Sequence, residues 1–449
     1  MAKLVPFRGL RYNLSRIDDP ASVMAPPYDV ISPALREELY RRSPYNVVRL
    51  ILGKIRESDD ETDNRYTRAA ADFKRWQQEG ILARDTVPAL YLYDQEYSLE
   101  DGGSVVRRGF IALNRLEELS SGVVKPHEKT LSGPKADRFN LLKACRANFS
   151  PVFALYADPC CVLESLSRKE RERPPEVEVV NDEGVVHRLW RVTDDLIIRK
   201  AHDLLGSKPL FIADGHHRYE AAISYRNYLR EKHPNFTGKE TFNYIQMCFA
   251  NMEDQGVMIL PTHRLIFGLP EFRPESFLAA LAEWFEIESS PFAVADDGAR
   301  KKVRQVLQEK GKARRTLAFF AGGETIHYLS LRDERVMDRF FDPKTPKALR
   351  TLDVSILHQL ILDKVLGISA ETQEQQTQLK YVKSFAESFD QVLAGEAQAA
   401  FLMNATRMSE VRDVANAGEK MPQKSTYFYP KLLTGLVIQT IVDGEKVTE

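Results

Sequence analysis

The stretch FIADGHHRYEAAISYR, Phe211 to Arg226, sets an apolar run directly against an amphipathic one. Phe211 to Ala213 predicts the end of a buried strand. Tyr219, Ala222, Ile223 and Arg226 recur at helical spacing. The chain must therefore turn from strand to helix within Asp214–Arg218, so the fold has to supply a sheet for the strand and a packed flank for the helix. The first N–H groups of a helix lack intrahelical partners, and the helix dipole favours negative charge there. A cluster at that place can hold phosphate, hold metal, or cap the helix.

The rest of the chain repeats this mixture without a fixed period. A helix is predicted over 65–78, stopped at Gly80. The β-rich runs Val87 to Leu99 and Ser104 to Leu113 flank Asp101-Gly102-Gly103, a hairpin signal. A second hairpin is predicted over Val177 to Val192, turning at 182–184, followed by a helix near Asp194–Leu205. Phe242–Ala250 and Gly256–Ile259 read as an antiparallel pair. Helices are expected at Pro274–Phe285 and Asp297–Glu309, then a hairpin over Thr316–Leu331 with Gly322-Gly323 in its turn. Hairpins interleaved with helices argue an α+β fold over a regular βαβ winding. The expected regions are 1–121, an N-terminal α+β region; 122–268, a mixed core; and 269–449, a C-terminal α+β domain.

Composition narrows the function classes. The 449 residues carry 63 Lys and Arg against 64 Asp and Glu, a net charge of −1. A chain whose main partner is a nucleic acid backbone ordinarily carries a basic excess, so nucleic acid is not the expected partner. Met1 to Asn13 lacks the apolar core of a signal peptide, and no uncharged apolar run is long enough to span a bilayer. Cys145, Cys160, Cys161 and Cys248 form neither a disulfide framework nor a CxxC pair. The expectation is a reduced, cytoplasmic protein. Its oligomeric state is not legible.

Three polar segments carry the candidate chemistry. In Asp214-Gly215-His216-His217-Arg218, adjacent helical side chains point about 100° apart, so the two histidines are poorly placed to share one ion. The phosphate reading uses Gly215 for close backbone approach and Arg218 as a charged fork. Helix capping by Asp214 stands beside it. In KPHEKTLSGPKADR, Lys125 to Arg138, cations alternate with Glu128, as phosphoryl transfer requires: positive groups for donor oxygens and a base for the attacking hydroxyl. Pro126 and Gly133-Pro134 would stiffen such a loop; the alternative is a solvated charged connection. In GEKMPQKSTYFYPK, Lys420, Lys424, Ser425, Thr426 and Lys431 could ring an anion, although the GxxxxGK scaffold of a P-loop is missing. A Lys-rich surface is the competing reading. Asp29, Arg49, His263 and Arg264 are weaker substrate-binding candidates, since such residues are more often structural.

FIADGHHRYEAA resembles the signature box of the ParB/sulfiredoxin-like superfamily, whose loop and helix bind nucleotide phosphates. Across nearly the whole chain, APPYDVIS, KPHEKTLSGPKADR, DGHHRYEA, PTHR and GEKMPQKSTYFYPK resemble the blocks of a bacterial family catalogued as domain of unknown function one-zero-one-five. Sulfiredoxins carry a catalytic cysteine after the box glycine. Here that place is His216, which argues against sulfinic acid reduction. Free serine kinases of the superfamily show the same order of parts, matched here by Pro126-His127-Glu128, Asp214 to Arg218, and Lys424-Ser425-Thr426. The interval from Glu128 to Asp214 is longer here, with an extra hairpin and helix, which leaves the donor open between a nucleotide and pyrophosphate.

The resemblance implies a ParB/sulfiredoxin-like core and a kinase forming O-phospho-L-serine from free L-serine. It implies Glu128 as base beside His127, and Asp214 orienting the hydroxyl or holding Mg²⁺. Gly215, His216, His217, Arg218, Lys129, Thr130, Lys135, Arg138, Lys424, Ser425 and Thr426 would hold the donor. A ParB-like nucleotide-dependent DNA clamp and a small-molecule phosphohydrolase are the alternatives.

Overall fold

A nine-stranded mixed sheet organises the first of two units in the computed structural model, which describes residues 1–99 and 102–448. That unit comprises 1–126, 130–258 and 430–449; the second comprises 127–129 and 259–429. Residues 1–121 and most of 122–268 thus share one unit, and the chain's last twenty residues return to it.

The strands of the first unit are β1 (Leu4–Val5), β2 (Leu90–Ser98), β3 (Ser104–Arg115), β4 (Val124–Lys125), β5 (Val152–Tyr156), β6 (Val177–Val180), β7 (Val186–Val192), β8 (Leu210–Asp214) and β9 (Tyr244–Asn251). Their order is β4-β8-β5-β9-β3-β2-β7-β6, with β1 also on β3. The pairs β4–β8 and β5–β9 are parallel and the others antiparallel. Four longer helices belong to the unit: α1 (Arg65–Gln78), α2 (Ser132–Cys145), α3 (Asp195–Gly206) and α4 (His216–Lys232). α1 starts where its sequence dictates, because Asn64 accepts from Tyr66 and Thr67 N–H while Thr67 returns the bond. One sheet face packs Leu92, Phe110, Ala154 and Ile212 against Ile197 and Ala201 of α3 and Tyr219 and Ala222 of α4.

The second unit holds a six-stranded antiparallel sheet of β10 (His263–Ile266), β11 (Phe285–Pro291), β12 (Thr316–Phe320), β13 (Thr325–Leu331), β14 (Leu379–Val382) and β15 (Ala399–Leu402), ordered β11-β13-β12-β15-β10-β14. Val303 and Leu307 of α5 (Asp297–Ala313) and Phe385 and Phe389 of α6 (Phe385–Leu393) close its core with Leu265, Ala318 and Leu402.

The α+β class is the one expected. Local expectations differ at three places. The β9 strand pairs with β3 and β5 instead of with 256–259. The helix expected over 274–285 stops at Leu281, because Phe285 starts β11 and is buried in its pairing with Leu331. Gly133 and Pro134 lie in the first turn of α2, where a proline costs no hydrogen bond, so only 126–131 is loop. Asp101, expected in the first hairpin's turn, lies outside the described residues. No helix among the described residues is long and apolar enough to cross a membrane.

Candidate functional site

In the first unit the site begins with an irregularity in β8. Ile212 pairs with Ala154, but Asp214 pairs with Phe153, so Ala213 and Asp214 together oppose one residue of β5. Directly paired residues share a face. Without the extra residue, Asp214 would fall on the helix-covered face with Val152; the bulge turns it to the face of Phe153 and Leu155 instead. Gly215 follows with φ +94°, a conformation open to glycine and strained for any side chain. A Cβ there would also stand 2.8–2.9 Å from the Arg218 guanidinium. α4 then starts at His216 with its first N–H groups uncapped by any side chain of Gly215.

Asp214 lies between two cations. Its Oδ1 accepts from Lys431 Nζ at 2.5 Å and its Oδ2 from Arg218 Nη2 at 2.7 Å. Burial alone would raise its pKa, but Lys431 and Arg218 hold it far below the ordinary carboxylate range. Arg218 also donates through Nη1 to Ser150 Oγ at 3.0 Å and to the Pro151 carbonyl at 2.5 Å. Its Nε is buried without a partner among the described residues. Behind this cluster Arg107, 2% exposed, donates to the Pro430 carbonyl at 2.6 Å and to Gln95, and stacks over Phe153.

The first turns of α4 also grip the 130–138 segment. His217 Nε2 accepts the Leu131 N–H at 2.9 Å, so its proton resides on Nδ1. Glu220 accepts from Thr130 Oγ1 at 2.8 Å and from Lys135 Nζ at 3.1 Å. Arg138 is buried, donating to Asp137 and to the Ile51 carbonyl and stacking 3.9 Å over the Tyr28 ring. Burial pushes the Tyr28 hydroxyl up to about 12, against the pull of Arg138 and Arg218. Asp29 beside it is exposed. Arg49 braces its own region, donating to Tyr40 and Ser43 carbonyls.

In the second unit, residues 127–128 meet a segment almost 300 positions later. His127 Nε2 and Thr426 Oγ1 share a hydrogen bond of 2.8 Å, and Glu128 Oε1 accepts the Lys424 N–H at 3.2 Å. The His127 carbonyl accepts from Met421 N–H at 2.7 Å, and Glu128 bridges Met421 in parallel. Lys424 has φ +55°, a strained value for a residue with a side chain. Its carbonyl accepts from Arg264 Nη2 at 3.1 Å, so its backbone is held from both sides. Ser425 Oγ donates to the Pro422 carbonyl at 2.6 Å. Glu128 is half-buried, while Lys129 and Lys424 are exposed. His263 is buried, accepting the Met403 N–H on Nδ1, and burial and Arg264 lower its pKa to about 3.

Each unit therefore assembles part of the predicted set. The first brings together Asp214, Gly215, Arg218, His217, Thr130 and Lys135; the second brings together His127, Glu128, Lys424, Thr426 and Arg264. Sequence reasoning did not single out Glu220, Ser150, Gln95 or Arg107, and it grouped Lys431 with the other lysines instead of with Asp214. The magnesium role for Asp214 is a poor fit. Both oxygens already accept from cations, which would repel a divalent ion. Among the described residues no group of three or more His, Cys, Asp or Glu could hold a metal.

Residues 4–355 match the family model described as "Protein of unknown function (DUF1015)". No curated protein matches. Among solved structures, a free serine kinase variant in complex with AMP is similar at 11% identity, over 71% of this chain and 88% of its own, with a TM-score of 0.35. A conserved hypothetical protein from Pyrococcus furiosus shares 14% identity over 69% of this chain and 89% of its own, TM-score 0.32. SbnI with a C-terminal truncation, from Staphylococcus aureus, shares 10% over 73% and 86%, TM-score 0.32.

Proposed function

The chain belongs to the DUF1015 family, and we propose that it is a phosphotransferase converting free L-serine to O-phospho-L-serine. The observation that carries the reading is the pairing of two motifs remote in sequence: His127 and Glu128 hydrogen-bonded to Thr426 and Lys424. A carboxylate oriented by a peptide N–H, beside exposed Lys129 and Lys424, has the make-up of a general base in a cationic setting. The motif order shared with free serine kinases supports the same assignment, as does the ParB/sulfiredoxin-like reading of the core.

In this proposal Glu128 takes the proton of the serine hydroxyl as its oxygen attacks the donor's terminal phosphorus. The P–O bond to the leaving phosphate or nucleotide breaks, and that oxygen keeps the electron pair. Within the first unit, the N–H groups at the start of α4, with His216 and the Arg218 Nε, are the groups suited to phosphate oxygens. Lys129 and Lys424 offset charge on the transferred group. Asp214 acts as a positioning residue that holds Arg218 and Lys431. Magnesium enters only as the donor's counterion, with no step routed through Asp214. The four free thiols fit a reducing, cytoplasmic setting.

The test is phosphorus NMR of the full chain with L-serine, Mg²⁺ and, separately, ATP, ADP or pyrophosphate. Phosphoserine with one donor is expected. Absence of product with all three defeats the proposal, and phosphate release without serine points to a hydrolase.

A further inference from the structure

In the second unit, β14 is an edge strand antiparallel to β10, with Tyr381 directly opposite Arg264. Opposed residues share a face of the sheet, and the Arg264 guanidinium stacks 5.1 Å over the Tyr381 ring. Arg264 is 1% exposed, yet its acceptors are neutral: the Thr262 carbonyl, the Met403 sulfur at 3.3 Å and the Lys424 carbonyl at 3.1 Å. Its Nε has no partner among the described residues. Asp353 and Glu410 line the same small recess as Arg264, but both are engaged by Arg315, at 3.5 and 2.5 Å. A buried cation served only by neutral groups is costly, and an anion close by would offset that cost.

Tyr381 is half-buried, and its hydroxyl makes no hydrogen bond among the described residues. Burial raises its pKa; Arg264 pulls the other way, and Glu128 adds to the rise. The hydroxyl therefore stays protonated at neutral pH, a neutral donor in the field of both Arg264 and the proposed base. Hydrogen bonds trace the same neighbourhood. Arg264 donates to the Lys424 carbonyl, and the Lys424 N–H donates to Glu128 at 3.2 Å. Just past β14, Lys383 stacks 4.0 Å over the Tyr427 ring and donates to its hydroxyl at 2.7 Å, so the strand's end lies along the 424–427 segment. In L-serine only the α-carbon separates the hydroxyl-bearing carbon from the carboxylate. A group that binds that carboxylate must stand close to the base, and Tyr381 meets the requirement.

We propose that Tyr381 is a substrate-binding residue whose O–H donates to the α-carboxylate of the acceptor, beside the buried charge of Arg264. The inference rests on the kinase reading and adds to it a recognition element for a carboxylate-bearing alcohol. Steady-state kinetics of phosphoserine formation by the full chain, wild type against Tyr381→Phe, tests it. The substitution keeps the ring under Arg264 and loses only the hydroxyl, so the melting temperature should hold. The KM for L-serine is expected to rise about tenfold or more, while kcat and the KM for the donor stay within about twofold. L-Serinamide, which keeps the hydroxyl and lacks the carboxylate, serves as a competitor of L-serine. Its inhibition constant should agree between the two proteins within about twofold. A wild-type KM for L-serine in Tyr381→Phe, an equal rise in the KM for the donor, or a matching loss of serinamide affinity overturns the assignment of Tyr381 and leaves the kinase reading standing. No phosphoserine from the wild type with any donor removes the kinase reading, and this inference with it.

Discussion

Glu128 and Gln differ by one oxygen exchanged for an amide, and the Gln carbonyl can still accept the Lys424 N–H. Glu128→Gln should therefore keep the fold and lose the base. Turnover to phosphoserine should fall by at least ~10²-fold, with an unchanged melting temperature; near wild-type turnover would remove Glu128 from the chemistry. Lys431 invites a different experiment, because its partner Asp214 titrates far below an unfolded carboxyl near pH 3.9. A depressed folded-state pKa contributes stability that is complete above about pH 4 and is lost as pH falls towards the folded value. In Lys431→Met, Arg218 and the weaker pull of His216 are left to oppose the effect of burial, so the folded pKa rises. Thermal melts should show a loss of about 1–3 kcal/mol at neutral pH and an acid limb displaced upward; superimposable profiles would show Lys431 to be idle. The DGHHR residues were legible because a strand-to-helix turn has a sequence signature. The Lys431 pairing was not, since nothing local in YFYPKLL distinguishes a lysine bound for a buried carboxylate from one bound for water.

At the scale of elements, the bulge in β8 and the glycine after it do one job: they bring Asp214 to the face of Phe153 and start α4 immediately afterwards. Gly215→Ala should expose that dependence. An alanine at φ +94° is strained by about 1–3 kcal/mol, and its Cβ would force the Arg218 fork to move. Urea denaturation should report the stability loss, and donor titration a weaker affinity; an unchanged midpoint would mean the turn can relax. Elements with local signals were read well. The helix over 65–78 carries its own cap in Asn64, and the turn glycines fix the hairpins at 177–192 and 316–331. The partner of 242–250 was misassigned because pairing depends on strands over 80 residues away, which no periodicity records. The bulge was equally hidden: one residue of register leaves the apolar pattern of Phe211–Ala213 intact.

For the whole molecule, the feature beyond sequence reasoning is discontinuity. Boundaries were sought where composition changes, yet the first unit takes residues 430–449 from the far end of the chain. Those residues are integral to it. Gln439 pairs with Asn148 and accepts the Gln246 N–H at 2.9 Å, Lys431 reaches Asp214, and Leu432, Leu433, Leu436, Val437, Ile438 and Ile441 are buried. Each such side chain contributes about 1.5–3 kcal/mol on burial, so together they rival the 5–15 kcal/mol net stability of an ordinary domain. A chain ended after Tyr429 should therefore lose the first unit's fold while keeping every residue of the second. The three tryptophans can tell the units apart: Trp76 and Trp190, 0% and 3% exposed, belong to the first, and Trp284 to the second. The shortened chain should show red-shifted emission, and single-tryptophan versions should assign the shift to Trp76 and Trp190 while Trp284 holds its wavelength. If Trp76 and Trp190 instead keep their buried emission, the last twenty residues are an accessory to a unit that folds without them.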